Sequence, residues 1–523
     1  MELGLSSIKC LQRKLLKNNS NYSHMKSFII IILLIVGSLQ GNAQKIATDQ
    51  RLSGLDKEVQ NLITQYHTAG LAIAVIHKDQ VIYSKGFGYR DIEKRLPVDT
   101  NTIFGIGSVT KSFTAGLLGV LEGNGQLDLT DVPKKYIPEL SFYNTTMDDC
   151  IQLHHLLSHS SGVPSTSTES TAVLFGSPNK NELVTRLQYL PPTAAVGEQF
   201  IYNNLIYTLA GIVTERITSK SWEQNLSDLI FQPLGTENTY ANVFTASKDI
   251  DFAYGYAVDA TNTIKRVLPE HIPMRSAGGN IYSSIEDMAK WATVWMNEGT
   301  YNTTQVLPKS YVHKATSPLQ KMSLDTTQPI RHYGYGWMTH TYEGYPKIEH
   351  SGGISGYTSN LAMFPSEDLA IVVLTNQTGS SIAYNITDNI TNRLLDIKSS
   401  DTLNHEIRYS NTFTIDPVNT PTTLNKEHLP SQDLQAFTGT YYHPGFSEFT
   451  ISYDQGTLYA ELPFTKFRLE HHQDNIFIDH FTEEMPLVYW NFLQFNFQAN
   501  DTGKIDHVLI NVDEEPVIFK RVR

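Results

Sequence analysis

The sequence is poor in cysteine and in positive charge, and each shortage excludes a class of protein. Its 523 residues include only two cysteines, Cys10 and Cys150, which excludes a disulfide-stapled scaffold and a cysteine-rich metal cluster. Lys and Arg together number 40 against 53 Asp and Glu, so the formal net charge is −13. An acidic chain without basic blocks is a poor match to the phosphate backbone of nucleic acids, and we expect no nucleic-acid partner.

The first 44 residues have the pattern of an export signal. The apolar run 28–36 has nine residues, too few for a membrane span of about 20 residues. Lys26 precedes this run and the small residues at 41–43 follow it, which is the charged, apolar and small-residue order of a secretory signal. We expect residues 1–44 to be cleaved, leaving a secreted or periplasmic protein without a stable membrane anchor. Met25 is an alternative start, and an uncleaved anchor is the competing interpretation.

The rest of the chain divides into two parts of different pattern. Hydrophobic residues make up 40% of the sequence, an ordinary globular composition. Residues 45–397 have strand signals at both ends and helical signals between them, which predicts an α+β domain whose sheet joins both ends of the segment. Residues 398–427 have the composition of a linker. Residues 428–523 alternate apolar and polar residues in short runs, which predicts a small barrel or sandwich.

Local patterns predict several elements within the first domain. Two apolar runs at 71–76 and 81–87 flank a polar turn and predict a hairpin. Apolar residues at helical spacing predict helices over 108–121, 205–217 and 284–296. Late strands are expected at 360–364 and 369–374.

The first motif that could carry chemistry is Ser108-Val109-Thr110-Lys111. A serine hydroxyl is a weak nucleophile until a base takes its proton, and residues three apart share a helix face. Burial of the lysine would favour its neutral form, which accepts protons. The same spacing recurs elsewhere, for example at Ser177 and Lys180, so a capping serine beside a surface lysine is the default interpretation. Small residues before Ser108 and an apolar helix after it favour catalysis.

A second motif, Tyr202-Asn203-Asn204, precedes a predicted helix. A lysine near Tyr202 could depress the pKa of its phenol and let it exchange protons with the serine. The amide of Asn204 offers both a donor and an acceptor to a substrate amide. A buried tyrosine beside a helix-capping asparagine is the default interpretation.

A third motif, His350-Ser351-Gly352-Gly353, follows a strand pattern. On its own it is typical of a turn. Small residues on an edge strand would also let a substrate lie alongside and pair with backbone groups.

The order Ser-x-x-Lys, Tyr-x-Asn, His-Ser-Gly resembles the class C β-lactamase-like serine hydrolases over roughly residues 50–395, and the accessory stretches 155–162, 197–202 and 277–283 match as well. These penicillin-recognising enzymes include esterases, D-aminopeptidases and peptidoglycan-directed peptidases. The resemblance implies a β-lactamase/transpeptidase-like α+β domain, with an antiparallel sheet flanked by a helical region. The tail from about 430 resembles the small lipocalin-like β-barrel domain often appended to this family.

The resemblance also implies catalytic roles. Ser108 would be the acylated nucleophile, and Lys111 and Tyr202 would share the general-base and general-acid work in an order that the sequence leaves open. Backbone N–H groups of Ser108 and Gly353 would form the oxyanion hole. No metal, nucleotide or other cofactor is implied.

Substrate binding is implied for Asn204 and for the third motif, His350, Ser351, Gly352 and Gly353. Asn204 would position the substrate amide. His350 would lie opposite Tyr202 and help to hold the proton state of Tyr202 or the substrate carboxylate. True β-lactamases of this class have Lys where this chain has His350. A neutral imidazole binds a carboxylate less well than an ammonium group, so we expect inefficient β-lactam hydrolysis.

The predicted function is an exported serine hydrolase that cleaves amide or ester bonds in small peptides, D-residue peptides or esters through a Ser108 acyl-enzyme.

Two alternatives remain open at this point. A metallohydrolase could use His155 and His159, although the glutamate of the usual zinc motif is absent. A non-catalytic sensor of peptidoglycan or peptides could use the same fold, because a fold does not fix a function. The expected partner is a small-molecule or peptide substrate, and the sequence leaves the oligomeric state open.

Overall fold

The computed structural model describes residues 49–165, 176–177, 179–242, 250–258, 262–267, 276–323, 330–398, 428–463, 465–480, 493–511 and 516–523. The segment 1–44 that is predicted to be an export signal lies outside the described residues, and so does the predicted linker 398–427 apart from its first residue. The described part of the chain forms a large sheet with helices on both faces, followed by a closed barrel.

Among the described residues, a nine-stranded antiparallel sheet organises the first domain. Its strands in chain order are β1 Gly70–His77, β2 Gln80–Asp91, β3 Leu96–Pro97, β4 Gln320–Lys321, β5 His332–Tyr333, β6 Met338–Tyr342, β7 Tyr345–Ile354, β8 Tyr357–Phe364 and β9 Leu369–Thr375. Their spatial order is β4-β5-β6-β7-β8-β9-β1-β2-β3. Strand β9 lies beside β1, with Leu71 opposite Thr375. The predicted hairpin and late strands are confirmed, and the sheet joins both ends of the domain.

The two faces of the sheet bury different cores. Successive side chains of a strand point to opposite faces, so β1, which is buried along its length, contributes to both cores. Leu71 and Ile73 pack among the apolar side chains of the first and last helices of the domain, whereas Ala72 and Ala74 face the helical region. Burial of each large apolar side chain contributes roughly 1.5–3 kcal/mol, which makes the middle of the sheet a rigid support.

The helices flank this sheet on both faces. They are α1 Leu55–Gln65, α2 Thr110–Gly123, α3 Thr145–Cys150, α4 Leu153–Leu157, α5 Glu182–Arg186, α6 Asn204–Thr218, α7 Trp222–Leu226, α8 Gln232–Leu234, α9 Ser276–Gly279, α10 Ile285–Met296, α11 Lys309–Ala315 and α12 Ile382–Leu394. Three of them, α2, α6 and α10, confirm the helices predicted from apolar spacing. In the part of the chain that the structure describes, every helix is too short or too polar to cross a membrane.

The C-terminal strands close into an eight-stranded barrel within the described residues. They are β10 Gly439–Tyr442, β11 Glu448–Asp454, β12 Thr457–Leu462, β13 Thr465–Gln473, β14 Ile476–His480, β15 Gln494–Ala499, β16 Ile505–Asn511 and β17 Pro516–Arg521. Closure comes from pairing of the first strand with the last, where Tyr441 lies opposite Arg521. Aromatic rings fill the interior, for example Tyr441 and Phe449, which stack with their centroids 5.7 Å apart. The structure therefore decides between the two predicted architectures in favour of a barrel.

Candidate active site

Ser108 lies in a single 3-10 turn, Gly107–Val109, which leads directly into α2. Gly107 has a φ of +50°, a left-handed conformation that glycine adopts without steric cost. A Cβ at this position would lie 2.6 Å from the backbone nitrogen of Gly353, so the turn requires glycine to pack against β7. This close approach brings the predicted nucleophile to the strand that carries the third motif.

Lys111 is fully buried in the first turn of α2. Its Nζ lies 3.0 Å from Ser108 Oγ, 2.7 Å from Asn204 Oδ1 and 2.7 Å from the carbonyl oxygen of Gly278. The amide oxygen and the carbonyl oxygen can only accept, so Lys111 donates an N–H to each of them. Such partners are needed because an unpaired amine is costly to bury. The structure therefore brings together Ser108, Lys111 and Asn204.

The same Ser-x-x-Lys spacing at Ser177 and Lys180 forms no comparable pair. Lys180 Nζ donates to Glu215 Oε1 at 2.7 Å, and Ser177 Oγ accepts the N–H of Asn179 at 3.0 Å. Ser177 and Lys180 therefore have separate structural contacts, although the N-cap of α5 is Asn181 and the side chain of Lys180 is only 18% exposed. The difference arises from tertiary contacts, because the local spacing is identical.

Tyr202 precedes α6 and forms a side-chain hydrogen bond with Ser108. Lys111 Nζ lies 4.6 Å from the centre of its ring. Asn203 supports this arrangement as the N-cap of α6, where its Oδ1 accepts the N–H of Ile206 at 3.1 Å. Burial raises the pKa of Tyr202 above its usual value, and the hydrogen bond with Ser108 only partly opposes that effect. The expected depression of this pKa is therefore wrong, and Tyr202 is a protonated phenol at neutral pH.

The third motif continues strand β7 and does not form a turn. Gly352 lies opposite Ser359 of β8, and a Cβ on Gly352 would lie 1.9 Å from the carbonyl oxygen of Ile106. Pairing between β6 and β7 ends at Glu349. Beyond that residue the turn that bears Ser108 packs against β7. Residues 350–353 therefore lie at an edge of the sheet, beside the nucleophile.

His350 is buried, and both of its ring nitrogens have partners. Nδ1 donates to the carbonyl oxygen of Ser351 at 2.6 Å, and Nε2 then accepts the hydroxyl hydrogen of Tyr333 at 2.8 Å. Burial, and then the charge of Lys111, lower the pKa of His350 to about 3. Its ring lies 6.5 Å from that of Tyr202. His350 is thus a neutral residue whose ring nitrogens are engaged by the protein, and this geometry offers neither of them to a substrate carboxylate.

Three residues at the site were not identified as site residues from the sequence: Gly278, Tyr333 and Tyr384. Tyr384, in the first turn of α12, forms a side-chain hydrogen bond with Ser351 and lies close enough to Tyr202 to influence its pKa. The sequence could have pointed to Gly278, since it lies in the accessory stretch 277–283. No motif in the sequence points to the two tyrosines, because their contacts depend on how β5 and α12 pack beside β7.

The histidines considered as metal ligands do not share a helix face. Helix α4 ends at Leu157, and His159 follows it with a φ of +56°. His155 Nδ1 accepts the N–H of Gln152 at 3.0 Å, whereas His159 Nδ1 accepts the N–H of Asn203 at 3.1 Å. Within the described ranges, no group of three or more His, Cys, Asp or Glu side chains is arranged to hold a metal ion.

Comparison with known families matches both parts of the chain. The family model Beta-lactamase matches residues 55–391, which carry all three motifs. A second model, described as a domain of unknown function (DUF3471), matches residues 424–521, which include the barrel.

Individual relatives have low sequence identity to the chain, but the matches cover most of its length. The chain is 25% identical over 330 residues to Protein flp of Staphylococcus aureus (strain MW2), a match covering 63% of this chain and 64% of that protein, so the chain spans just under two thirds of that relative. It is 26% identical over 447 residues to Unguisins hydrolase ungD of Aspergillus violaceofuscus (strain CBS 115571), covering 77% of each. The octameric penicillin-binding protein homologue from Pyrococcus abyssi is similar with a TM-score of 0.59 and 24% identity, covering 90% of this chain and 100% of that one. At 24% sequence identity, the similarity to this structure establishes a shared fold and does not establish a shared function.

Proposed function

The chain belongs to the beta-lactamase family, and from this premise we propose that it is an exported serine hydrolase that cleaves amide or ester bonds through an acyl-enzyme on Ser108. One observation carries the proposal: Lys111 Nζ lies 3.0 Å from Ser108 Oγ, while Asn204 and Gly278 accept two of its N–H groups. In its neutral form, Lys111 would have its lone pair left for the hydroxyl hydrogen of Ser108. That arrangement supplies the base that a serine nucleophile needs.

In the acylation step, Ser108 Oγ forms a bond to the substrate carbonyl carbon and its proton passes to Lys111 Nζ. The backbone N–H groups of Ser108 and Gly353 would hold the resulting oxyanion, and loss of one such donor typically costs about 3 kcal/mol. The bond to the leaving group then breaks. Tyr202 gives its phenolic proton to the departing amine or alkoxide, and the proton on Lys111 restores the phenol. The raised pKa of Tyr202 favours this acid role over a phenolate base.

In the deacylation step, water replaces the leaving group. Lys111 Nζ takes a proton from the water while the water oxygen bonds to the acyl carbon. The ester bond to Ser108 then breaks as Tyr202 gives its phenolic proton to Ser108 Oγ, and the proton on Lys111 restores the phenol. The products are the free acid and the resting enzyme. Asn204, which contacts Lys111 and begins α6, would orient the substrate amide.

For the substrate, we propose small peptides, D-residue peptides or esters. The relative from Aspergillus violaceofuscus is named a hydrolase, which supports hydrolysis as the type of reaction. The neutral, fully paired His350 supports a substrate that does not depend on an ammonium group at this position, so β-lactams should be poor substrates.

Export is proposed from the pattern of residues 1–44 alone. The test is expression of the full chain in a Gram-negative host, followed by fractionation and mass measurement of the N-terminus. A new N-terminus close to Gln44 in the periplasm or medium supports export. An intact N-terminus in the cytoplasm would contradict it.

The decisive test of the chemistry is intact-mass spectrometry of the purified protein after incubation with a fluorophosphonate probe and, separately, with penicillin G. We expect a probe adduct that maps to Ser108 and is absent from Ser108→Ala. Ser177→Ala is the matched control, because Ser177 has the same spacing to a lysine but contacts Asn179 instead. It should label like the wild type.

Each outcome of this test separates the candidates. A long-lived penicillin adduct in addition to the probe adduct would indicate a peptidoglycan-directed peptidase, and a probe adduct alone an esterase or aminopeptidase. Folded protein that takes up neither reagent would overturn the catalytic proposal in favour of the non-catalytic sensor.

A further inference from the structure

His159 lies in the accessory stretch 155–162 and has no part in the proposed proton transfers. It follows α4, its backbone is left-handed with a φ of +56°, and only 1% of its surface is exposed. A residue that is buried in a strained conformation away from regular structure persists only where surrounding contacts fix it. Two of its hydrogen bonds, and one of its ring contacts, involve Tyr202 or a residue next to it.

Two hydrogen bonds from His159 hold the backbone on either side of Tyr202. The carbonyl oxygen of His159 accepts the N–H of Ile201 at 2.7 Å. Its side-chain Nδ1 accepts the N–H of Asn203 at 3.1 Å. Tyr202 is the residue between these two donors, so one histidine holds the chain on both sides of it.

The ring of His159 also packs on the ring of Tyr202. Their centroids lie 4.3 Å apart with an angle of 40° between the planes. The rings of Tyr207 and Tyr333 pack on His159 at 5.0 and 4.8 Å. The phenol of Tyr202 therefore lies against a ring that is itself held in place by its neighbours.

His159 is not equipped to transfer protons itself. Since Nδ1 accepts a hydrogen bond, the proton of the neutral ring is on Nε2, and Nε2 is buried without a hydrogen-bond partner among the described residues. Burial, followed by the charge of Lys111, lowers the pKa of His159 well below its usual value, so the ring is neutral. Its connection to the reaction is therefore through Tyr202.

We propose that His159 is a positioning residue, whose carbonyl oxygen and Nδ1 hold the backbone on both sides of Tyr202 so that the phenol remains within hydrogen-bonding distance of Ser108. The inference rests on the proposed function, because it assigns His159 to the same catalytic site. Catalytic groups must be held within about 0.5 Å of their productive geometry, and a displacement of 1 Å can cost roughly 100-fold in rate. Loss of the Nδ1 acceptor should therefore impair the chemical step more than substrate binding.

The test compares two substitutions of His159. His159→Phe keeps an aromatic ring but removes the acceptor for Asn203. His159→Asn places an amide oxygen where Nδ1 lies, and asparagine tolerates the left-handed backbone. The matched control is His155→Phe, because His155 Nδ1 also accepts a backbone N–H, that of Gln152, outside the active site.

The measurements are the rate of probe labelling at Ser108, kcat and KM for a p-nitrophenyl ester, and the melting temperature. The value of kcat is calculated per molecule of protein whose Ser108 the probe can label. We expect His159→Phe to lower the labelling rate and kcat by roughly 100-fold, with KM changed by less than about 3-fold. We expect His159→Asn to stay within about 5-fold of the wild type. His155→Phe should match the wild type in both rates.

Equal labelling rates for the wild type and a folded His159→Phe would overturn the proposal. So would equal losses in His159→Phe and His159→Asn, since the acceptor would then be irrelevant. If His159→Phe does not fold, His159→Gln replaces it, because its longer side chain cannot place an acceptor at the Nδ1 position. A wild type that the probe never labels would instead contradict the proposed function, so the two failures are distinguishable.

Discussion

Tyr333 donates its hydroxyl hydrogen to Nε2 of His350 across 2.8 Å, and both side chains are buried. The two residues lie in different strands, β5 and β7, that are separated in the sheet by β6. The carbonyl oxygen of Ser351 can only accept, so it keeps the ring proton on Nδ1 and leaves Nε2 as the acceptor for Tyr333. With both ring nitrogens engaged in this way, His350 of the third motif is a neutral residue that lines the site and is not available to bind an anion.

Removal of the Tyr333 hydroxyl should destabilise the fold. In Tyr333→Phe, Nε2 of His350 is left buried without its donor, and we expect the free energy of unfolding to fall by about 1–3 kcal/mol. Urea denaturation at neutral pH measures it. Tyr335→Phe is the control, since no described residue accepts from or donates to the hydroxyl of Tyr335, and it should cost less. Equal stabilities of wild type and Tyr333→Phe would show that the contact contributes nothing.

His350 should make the protein sensitive to acid. Its pKa is about 3 in the folded chain against 6.5 for an unperturbed histidine, so the unfolded chain takes up a proton first as the pH falls. Stability from this residue is present above the unfolded pKa and is lost as the pH drops towards 3. We expect His350 to account for about 2 kcal/mol of the stability lost between about pH 7 and about pH 5, so His350→Gln should lose about 2 kcal/mol less than the wild type over this range. Urea denaturation at both pH values measures it. The exposed His428→Gln should retain the wild-type slope.

Lys111 should be essential for acylation. Lys111→Met removes the base beside Ser108, and we expect the labelling rate with a fluorophosphonate probe to fall by roughly 10²–10⁴-fold. Stopped intact-mass time courses give this rate. Lys135→Met is the control, because Lys135 pairs with Asp131 at 2.8 Å on the surface and its side chain is 56% exposed. If Lys111→Met labelled as fast as this control, another group would have to be the base.

The raised pKa of Tyr202 predicts a simple pH dependence. Because the phenol stays protonated, Tyr202→Phe should lower kcat/KM for an ester by roughly 10²–10⁴-fold at every pH from about 6 to about 9. The ratio of wild type to variant should therefore be flat. A ratio that rises about tenfold per pH unit would instead indicate a phenolate with a depressed pKa.

Adjacent glycines of β7 should respond differently to a methyl group. A Cβ on Gly352 would meet the carbonyl oxygen of Ile106 at 1.9 Å, whereas a Cβ on Gly353 meets nothing within 4 Å. We expect Gly352→Ala to cost about 1–3 kcal/mol of stability and to slow labelling of Ser108, because the turn before the nucleophile must move. Gly353→Ala should stay within about 0.5 kcal/mol of the wild type. Thermal and urea denaturation of both variants measure these stabilities. Similar losses of stability in the two variants would contradict the close approach of Gly352 to Ile106.

Much of the fold could be predicted from the sequence because its signals are local. The helix that begins at Thr110, the hairpin of β1 and β2 and the alternation in the barrel strands all follow from apolar spacing. Barrel or sandwich could not be decided in this way, since the difference lies in the pairing of β10 with β17, whose residues lie far apart in sequence. The third motif was expected to form a turn on local grounds, and sheet pairing overrides that preference.

The sequence by itself determined the Ser108–Lys111 pair as a candidate, because one helical turn fixes the distance between residues three apart. It could not separate that pair from Ser177 and Lys180, which have the same spacing. Only the tertiary structure distinguished them, by bringing Asn204 and Gly278 to one lysine and Glu215 to the other. The tertiary structure also determines the protonation states of Tyr202 and His350. Burial and partners that are distant in sequence set their pKa values, and local spacing encodes neither burial nor such partners.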